Sequence, residues 1–382
     1  MTPNTYVHAY TLTVRDTLNW DPADFQSDNT IGVLPGEGVG PEIVDVSIQV
    51  LKALTQGTAV NFNIKYGGEI GLPAVRSTGH ALSAEVVSFV ESIFASRGAV
   101  FCGAGGGRFV YDLRDKFDLY CKLTPLHRRP ALLDIGCIKA DALEGIDALV
   151  IRENSGGIYF GQWDEQEAPE GTRALHSFSY CENEVKRILR IAVKLAESRR
   201  GRLDLILKPY GMPSISRLWT QMFNRLVQDS GIDSRILEVD YAAYYMIDAA
   251  KDLDVVVCPN LFGDILSDLG GVLIGSRGMC FSGNYGEHWK AVYQTGHGAA
   301  WDLAGRDESN PIGQLDALTM MLRVSFGQRE LALRLEQAID LVLQAGFRTP
   351  DIASPGSTVV GTRELGRRIA EAAVDLNGQS AA

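Results

Sequence analysis

The stretch Val255-Val256-Val257-Cys258-Pro259-Asn260-Leu261-Phe262-Gly263-Asp264-Ile265-Leu266-Ser267-Asp268 decides the fold class. Val255–Cys258 is a short, wholly apolar run, the pattern of a strand buried on both faces. Apolar spacing directly after it predicts a helix from Gly263 to about Leu273. A buried strand followed at once by a helix is the repeating unit of α/β architecture. Working outward, the unit recurs. Ile31–Pro35, Ala99–Cys102, Leu132–Ile135, Ala148–Ile151, Leu203–Leu207 and Arg235–Val239 read as strands, and Val60 to Tyr66 alternates as a half-buried one. Helices are predicted from Pro41 to about Leu54 and over Leu82–Ser96, Glu182–Arg200, Ser214–Val227, Ile312–Phe326 and Leu331–Ala345. Such alternation means a substantially parallel sheet. Residues 1–30 carry no clean periodicity and read as an N-terminal extension lying on the surface of the fold.

Length and composition bound the function. The chain has 382 residues, 46% hydrophobic and 22% charged, enough for a large core without disulfide or metal staples. Its formal net charge of −11 argues against nucleic acid, whose phosphates are held by clustered Lys and Arg. Six scattered cysteines without a C-x-x-C pair read as reduced thiols. No secretory signal and no run long enough to span a membrane is visible, so a cytoplasmic enzyme is expected.

Asp264 and Asp268 lie four apart, on one face of the predicted helix. The surrounding Leu, Ile, Phe and Val residues make that helix apolar nearly all round, so it is expected to be buried. Buried carboxylates are paired or bind a metal. An oxygen donor set favours Mg2+ or Mn2+, and a salt-bridged core is the equal alternative. Gly36-x-Gly38-x-Gly40 after the first strand is not the dinucleotide fingerprint, because position 41 is proline and no acidic residue closes a following strand. Gly103–Gly107 with Arg108 follows another strand and reads as either an anion loop or a flexible turn.

The motifs LPGEGVGPE, LRDKFDLY, IRENSGGIYFG, NLFGDILSDLGG, HGAAWDLAG with NP, and TPDIASPGSTVVGTREL occur in order from about Ile31 to Ala370. In that order the sequence resembles the isocitrate/isopropylmalate dehydrogenases, metal-dependent β-decarboxylating enzymes. The resemblance implies a two-lobed open α/β sheet without a Rossmann fingerprint. One lobe comprises 31–120 and 276–382 and binds cofactor; the other, 121–275, holds the metal site and the dimer contact. It further implies that Arg114 and Arg152 clamp the carboxylates of a malate, a task suited to the guanidinium fork. Asp240, Asp264 and Asp268 hold the metal, a Lewis acid on the substrate oxygen. Lys208 assists removal of the hydroxyl proton, with a pKa lowered by neighbouring cations, and Tyr159 protonates the enolate. Lys208 and Asp240 are implied to come from the neighbouring subunit of a homodimer. His297, Gly298, Ala299, Ala300, Asp302 and Asn310 form the cofactor loop, where Asp302 favours NAD by accepting from ribose hydroxyls and repelling a 2′-phosphate.

Four departures from that pattern stand out. A second substrate arginine, ten residues after Arg114, is replaced by Thr124; Tyr210 replaces an asparagine; Gln294 replaces a glutamate; and Glu37 replaces the aspartate of the glycine turn. All are expected at substrate- or nicotinamide-facing positions. An active enzyme with an altered substrate follows: a malate with an acidic 3-substituent, bound distally by Arg108, for which a surface ion pair is the equal alternative. Isopropylmalate, tartrate or malate as substrate are alternatives. The alternative of another class is a non-catalytic regulatory subunit.

Overall fold

The computed structural model describes residues 14, 15, 17, 18, 20 and 29–380, the last three by backbone alone. Most of the 1–30 extension, and with it the expected absence of a signal, lies outside the described residues. The strands of the central sheet and of one hairpin are β1 (Thr30–Leu34), β2 (Asn63–Tyr66), β3 (Ala99–Cys102), β4 (Cys121–His127), β5 (Asp147–Glu153), β6 (Gln162–Ala168), β7 (Gly171–Ser177), β8 (Arg202–Leu207), β9 (Asp233–Glu238), β10 (Val255–Cys258), β11 (Phe281–Tyr285) and β12 (Ala291–Thr295). The first helices are α1 (Gly40–Thr55), α2 (Leu72–Thr78), α3 (Ala84–Ala95), α4 (Phe109–Phe117), α5 (Ala140–Leu143) and α6 (Glu182–Glu197). They are followed by α7 (Pro213–Val227), α8 (Val239–Asp248), α9 (Asn260–Ile274), α10 (Ile312–Val324), α11 (Arg329–Gln344) and α12 (Thr362–Ser380).

Ten strands form one sheet in the order β2-β1-β3-β12-β11-β4-β5-β10-β8-β9. Both ends are parallel, as βαβ crossovers require, and the antiparallel pairs β12–β11–β4–β5 join them in the middle. The fully apolar β3 and β10 are buried along their whole length, which is why they could be read without context. Helix α1 starts with Pro41 in its first turn, where the missing N–H costs nothing, and its buried stripe Ile43, Val46, Val50, Leu54 follows the helical period.

Three expectations need correction. Leu132–Ile135 is no strand: Pro130–Leu132 is a single 3₁₀ turn. The carbonyls of Leu132 and Ile135 are taken by the buried Arg128 guanidinium and are lost to any ladder. The described part of the N-terminal extension is integral to the core. Trp20 stacks on Trp289 at 4.9 Å and donates its indole N–H to the Gly286 carbonyl at 3.2 Å, with Val14 and Leu18 also buried. Finally, α9 is not buried all round, since Ile265 and Val272 are exposed along it. The hairpin β6–β7 was not legible at all: nearly every residue of it is exposed, so neither strand carries a core-facing stripe.

Candidate active site

The site lies where the C-terminal ends of β5 and β10 meet the start of α9. Arg152, 1% exposed, is the last residue but one of β5 and pairs in register with Cys258 of β10. Its Nε donates to Asn260 Oδ1 at 2.9 Å, and its Nη1 forms an ion pair with Asp264. Asn260 in turn donates from its amide to the Gly156 carbonyl at 2.7 Å, while its backbone N–H donates to the Tyr180 hydroxyl at 3.0 Å. Helix and strand approach so closely that a Cβ on Gly263 would lie 2.7 Å from Arg152 Cβ. The turn after β5 is folded by Glu153, whose carboxylate accepts from the Ser155 and Gly156 N–H groups at 3.0 and 3.1 Å. That turn delivers Tyr159, which donates to Asp264 Oδ2 at 2.8 Å.

The electrostatics follow from this packing. Partial burial works against the Asp264 charge, but Arg152 and then Lys122 more than offset it and hold the carboxyl below its ordinary value. Burial, the hydrogen bond to Asp264 and its charge push the Tyr159 hydroxyl well up, so it keeps its proton at neutral pH. Arg114, from α4, is 5% exposed and lies beside the Tyr111 ring; burial and the Arg152 charge lower its guanidinium to about 9. A further cation was missed from sequence. Lys122 on β4 is 6% exposed, and burial, Arg152 and Arg114 push its ammonium down to about 7. No signal within β4 marks it: alternation puts Lys122 on the same face as Thr124, but both are buried because β5 and β11 flank the strand.

The remaining expected residues fall in two other places. Asp268, one turn beyond Asp264, pairs with Arg277 at 2.7 Å. Lys208, after β8, binds Asp240 at 2.6 Å and Glu238 at 2.7 Å. Within one chain, neither Lys208 nor Asp240 hydrogen-bonds or ion-pairs with Arg152, Tyr159 or Asp264. The hydrogen bonds that Lys208 donates to Asp240 and Glu238 raise its ammonium, and Lys208 lowers Asp240; the expected depression of Lys208 is therefore absent from the single chain, where carboxylates and not cations surround it. Asp264 and Asp268 supply hard oxygen donors suited to Mg2+ or Mn2+. Among the described residues no group of three ligating side chains forms within one chain. Asp264 and Asp268 therefore fit such an ion as part of a larger donor set.

The departures also have places. Thr124 is buried and its hydroxyl has no partner. Tyr210 is 91% exposed. Glu37 is structural in its contacts: its carboxylate accepts from the Leu72 N–H at 2.6 Å, tying the glycine turn to α2. Arg108 is exposed at the rim, 3.6 Å from Asp112 and over the rings of Tyr111 and Trp163.

A separate cleft of about 400 Å3 is lined by Val39, Arg277, His297, Gly298, Ala300, Asp302 and Asn310. The glycine turn forms its floor, because Val39 donates to the Ala299 carbonyl at 2.8 Å and a Cβ on Gly38 would collide with that oxygen. Desolvation lowers the proton affinity of His297. Asn310 has its amide committed inside the protein, accepting from Ile312 N–H at 2.9 Å and donating to Asp351 at 3.1 Å. Asp351, also in the cleft wall, was not singled out from sequence.

Comparison with known proteins shows the family of the chain. The family described as isocitrate/isopropylmalate dehydrogenase matches residues 30–369. The chain is 36% identical over 355 residues to a 3-isopropylmalate dehydrogenase of Carboxydothermus hydrogenoformans, covering 89% of this chain and 93% of that one. It is 37% identical over 357 residues to a 3-isopropylmalate dehydrogenase of Synechococcus sp. strain JA-3-3Ab, covering 89% and 92%. Its structure resembles the crystal structure of isocitrate dehydrogenase from Methylococcus capsulatus with a TM-score of 0.79 at 28% identity, over 91% of this chain and 99% of the other. With its mixed α/β fold around one large central sheet, the chain belongs to the isocitrate/isopropylmalate dehydrogenase family.

Proposed function

We propose that this protein oxidatively decarboxylates a 3-substituted malate, using NAD and Mg2+ or Mn2+. The observation that carries the reading is the junction at Asp264, where one carboxylate holds Arg152 on one oxygen and the Tyr159 hydroxyl on the other. Arg152 and Arg114 bind the substrate carboxylates, and Tyr159, kept protonated, stands ready to give its proton to the enolate carbon. Asp264 and Asp268 hold the metal together with Asp240 of a second chain. When bound, the ion supplies Lewis-acid polarisation of the hydroxyl oxygen. Lys208 arrives with Asp240 and takes the hydroxyl proton once facing arginines replace its present carboxylate surroundings. Asp302 receives the adenosine ribose in the cleft beside His297 and favours NAD.

The lobes divide as 31–120 with 276–382, and 121–275, with residues 1–30 preceding them. Exposed Tyr241 and Tyr244 on α8, and Ile265 and Val272 on α9, form the homodimer contact. The isolated β6–β7 ribbon supports it, since two strands without a covering layer are marginal in water. No described helix is long and apolar enough to cross a membrane.

The distal substituent is acidic, read by Arg108 at the rim. Isopropylmalate is the second reading, favoured by the relatives' names. A panel of isocitrate, 3-isopropylmalate, tartrate and malate, assayed with NAD and Mg2+ for NADH and carbon dioxide, tests both. Absence of metal-dependent NADH formation with every 3-substituted malate would sink the proposed reaction.

A further inference from the structure

Three cations are buried side by side at the site. In the antiparallel register of β4 and β5, Lys122 lies directly opposite Arg152, and on its other side it lies opposite Asn284 of β11. Arg152 is neutralised by Asp264. Neither Lys122 nor Arg114 has a carboxylate within ion-pair distance among the described residues, although Asp264 and Asp268 act on Lys122 from farther away. Burying a charge without a partner is among the most costly arrangements a fold can hold. Apolar packing alone would be served better by leucine or methionine here. The neighbouring polar atoms are idle too: Arg152 Nη2 and Thr124 Oγ1 are both buried with no hydrogen-bond partner. Thus β4 and β5 present an ammonium, a free guanidinium N–H group and a hydroxyl, with Arg114 alongside and no protein anion to receive them. Such a set is complete only with an anionic ligand that carries several acceptor oxygens.

Taking the reaction proposed above as given, we infer that Lys122 is a third arm of the substrate clamp, its ammonium binding a carboxylate of the hydroxy acid between Arg152 Nη2 and Thr124 Oγ1. Lysine is a point charge and meets a single oxygen, whereas arginine takes two. The Thr124 hydroxyl supplies the second contact. The small side chain at 124 leaves room for the lysine stem, so Lys122 and Thr124 act as a pair in place of one guanidinium. Lys122 is thereby a specificity-determining residue: it favours acids whose carboxylate reaches the β4 side of the site.

The test compares Lys122→Met, which keeps the stem and removes the charge, with Lys122→Arg, which keeps the charge. Binding of isocitrate, 3-isopropylmalate and tartrate is measured by calorimetry with Mg2+ on the full chain, and KM and kcat are measured for the best substrate. Lys122→Met is expected to weaken binding and raise KM by about tenfold to a hundredfold, the effect of losing one charge-assisted hydrogen bond. Lys122→Arg is expected to recover most of that loss. The ligand-free melting temperature of Lys122→Met should not fall, because an unpaired buried charge has been removed. Binding by Lys122→Met within threefold of the parent, or a loss that Lys122→Arg does not recover, overturns the inference. If the parent binds these acids but oxidises none of them, the proposed reaction fails while the binding comparison still decides the role of Lys122.

Discussion

Replacing Gly263 by alanine separates the stability of the site from its geometry. The added Cβ would sit 2.7 Å from Arg152 Cβ, 2.8 Å from Cγ and 3.2 Å from Cα. Carbon atoms in contact prefer about 3.5–4.0 Å, so helix and strand must part by roughly 1 Å. Overpacking of this size costs about 1–3 kcal/mol. Alanine in a helix returns about 1 kcal/mol relative to glycine, leaving a net loss of roughly 0–2 kcal/mol. The chemistry has no such compensation. Arg152 is fixed by Asn260 and Asp264, both on the helix that must move, and Asp264 also fixes Tyr159. Misplacing reacting groups by about 1 Å can cost on the order of a hundredfold.

Gly263→Ala is therefore expected to lose about a hundredfold in kcat/KM while unfolding in urea with a midpoint close to the parent. NADH formation against substrate concentration gives the first quantity, and denaturant titration followed by circular dichroism gives the second. Activity within threefold of the parent would refute the argument that α9 backbone contact positions Arg152. A collapse in stability of more than about 4 kcal/mol would refute the estimate of how far the contact can relax.

Other expectations follow from the same geometry. Trp20→Ala, which removes a buried indole stacked on Trp289, should cost about 3–5 kcal/mol in urea denaturation; an unchanged midpoint would show the N-terminal segment to be dispensable. Because Lys122 is held down at about 7 in the folded chain, against 10.5 unfolded, the unfolded state binds more protons between those values. Ligand-free stability of the parent should therefore rise relative to Lys122→Met as pH goes from 7 to 9, the opposite slope counting against a buried ammonium facing Arg114, Arg152, Asp264 and Asp268. For the cofactor, kcat/KM should be higher with NAD than with NADP, and Asp302→Ser should narrow the gap; a parent that prefers NADP contradicts the role given to Asp302. Finally, Tyr159→Phe and Lys208→Met should each be inactive, yet mixing and reassociating them should recover about a quarter of parental activity, since only mixed dimers contain one intact shared site. No recovery would place both residues in the site of one chain.

Much of this was legible in local sequence, and the limits have physical causes. The strands β3 and β10 are buried on both faces, so four apolar residues sufficed to find them. Asp264 was legible as a carboxylate on an apolar helix, whereas the roles expected of Arg152 and Tyr159 came only from the resemblance that the ordered motifs carry. The 132–135 run failed because its carbonyls go to Arg128, a choice made by tertiary packing and invisible in apolar spacing. Trp20 failed for a related reason: its partners Gly286 and Trp289 are remote in sequence, and a lone tryptophan has no periodicity to declare its burial.

Lys122 shows where local reading stops in principle. A lysine in a seven-residue strand is ordinarily a solvated edge charge, and nothing within β4 says otherwise. Its burial depends on β11 and β5 flanking it, and its chemistry depends on the register that sets it opposite Arg152. A slip of one residue would turn Lys122 and Thr124 to the other face of the sheet and leave the clamp with its arginines alone. That register is fixed by seven paired positions between β4 and β5, from Cys121 with Glu153 to His127 with Asp147. The chain's net charge of −11 is equally uninformative here, because it describes the whole molecule. The site is a local surplus of cations, held by apolar strands far apart in sequence and balanced only when an acid is bound.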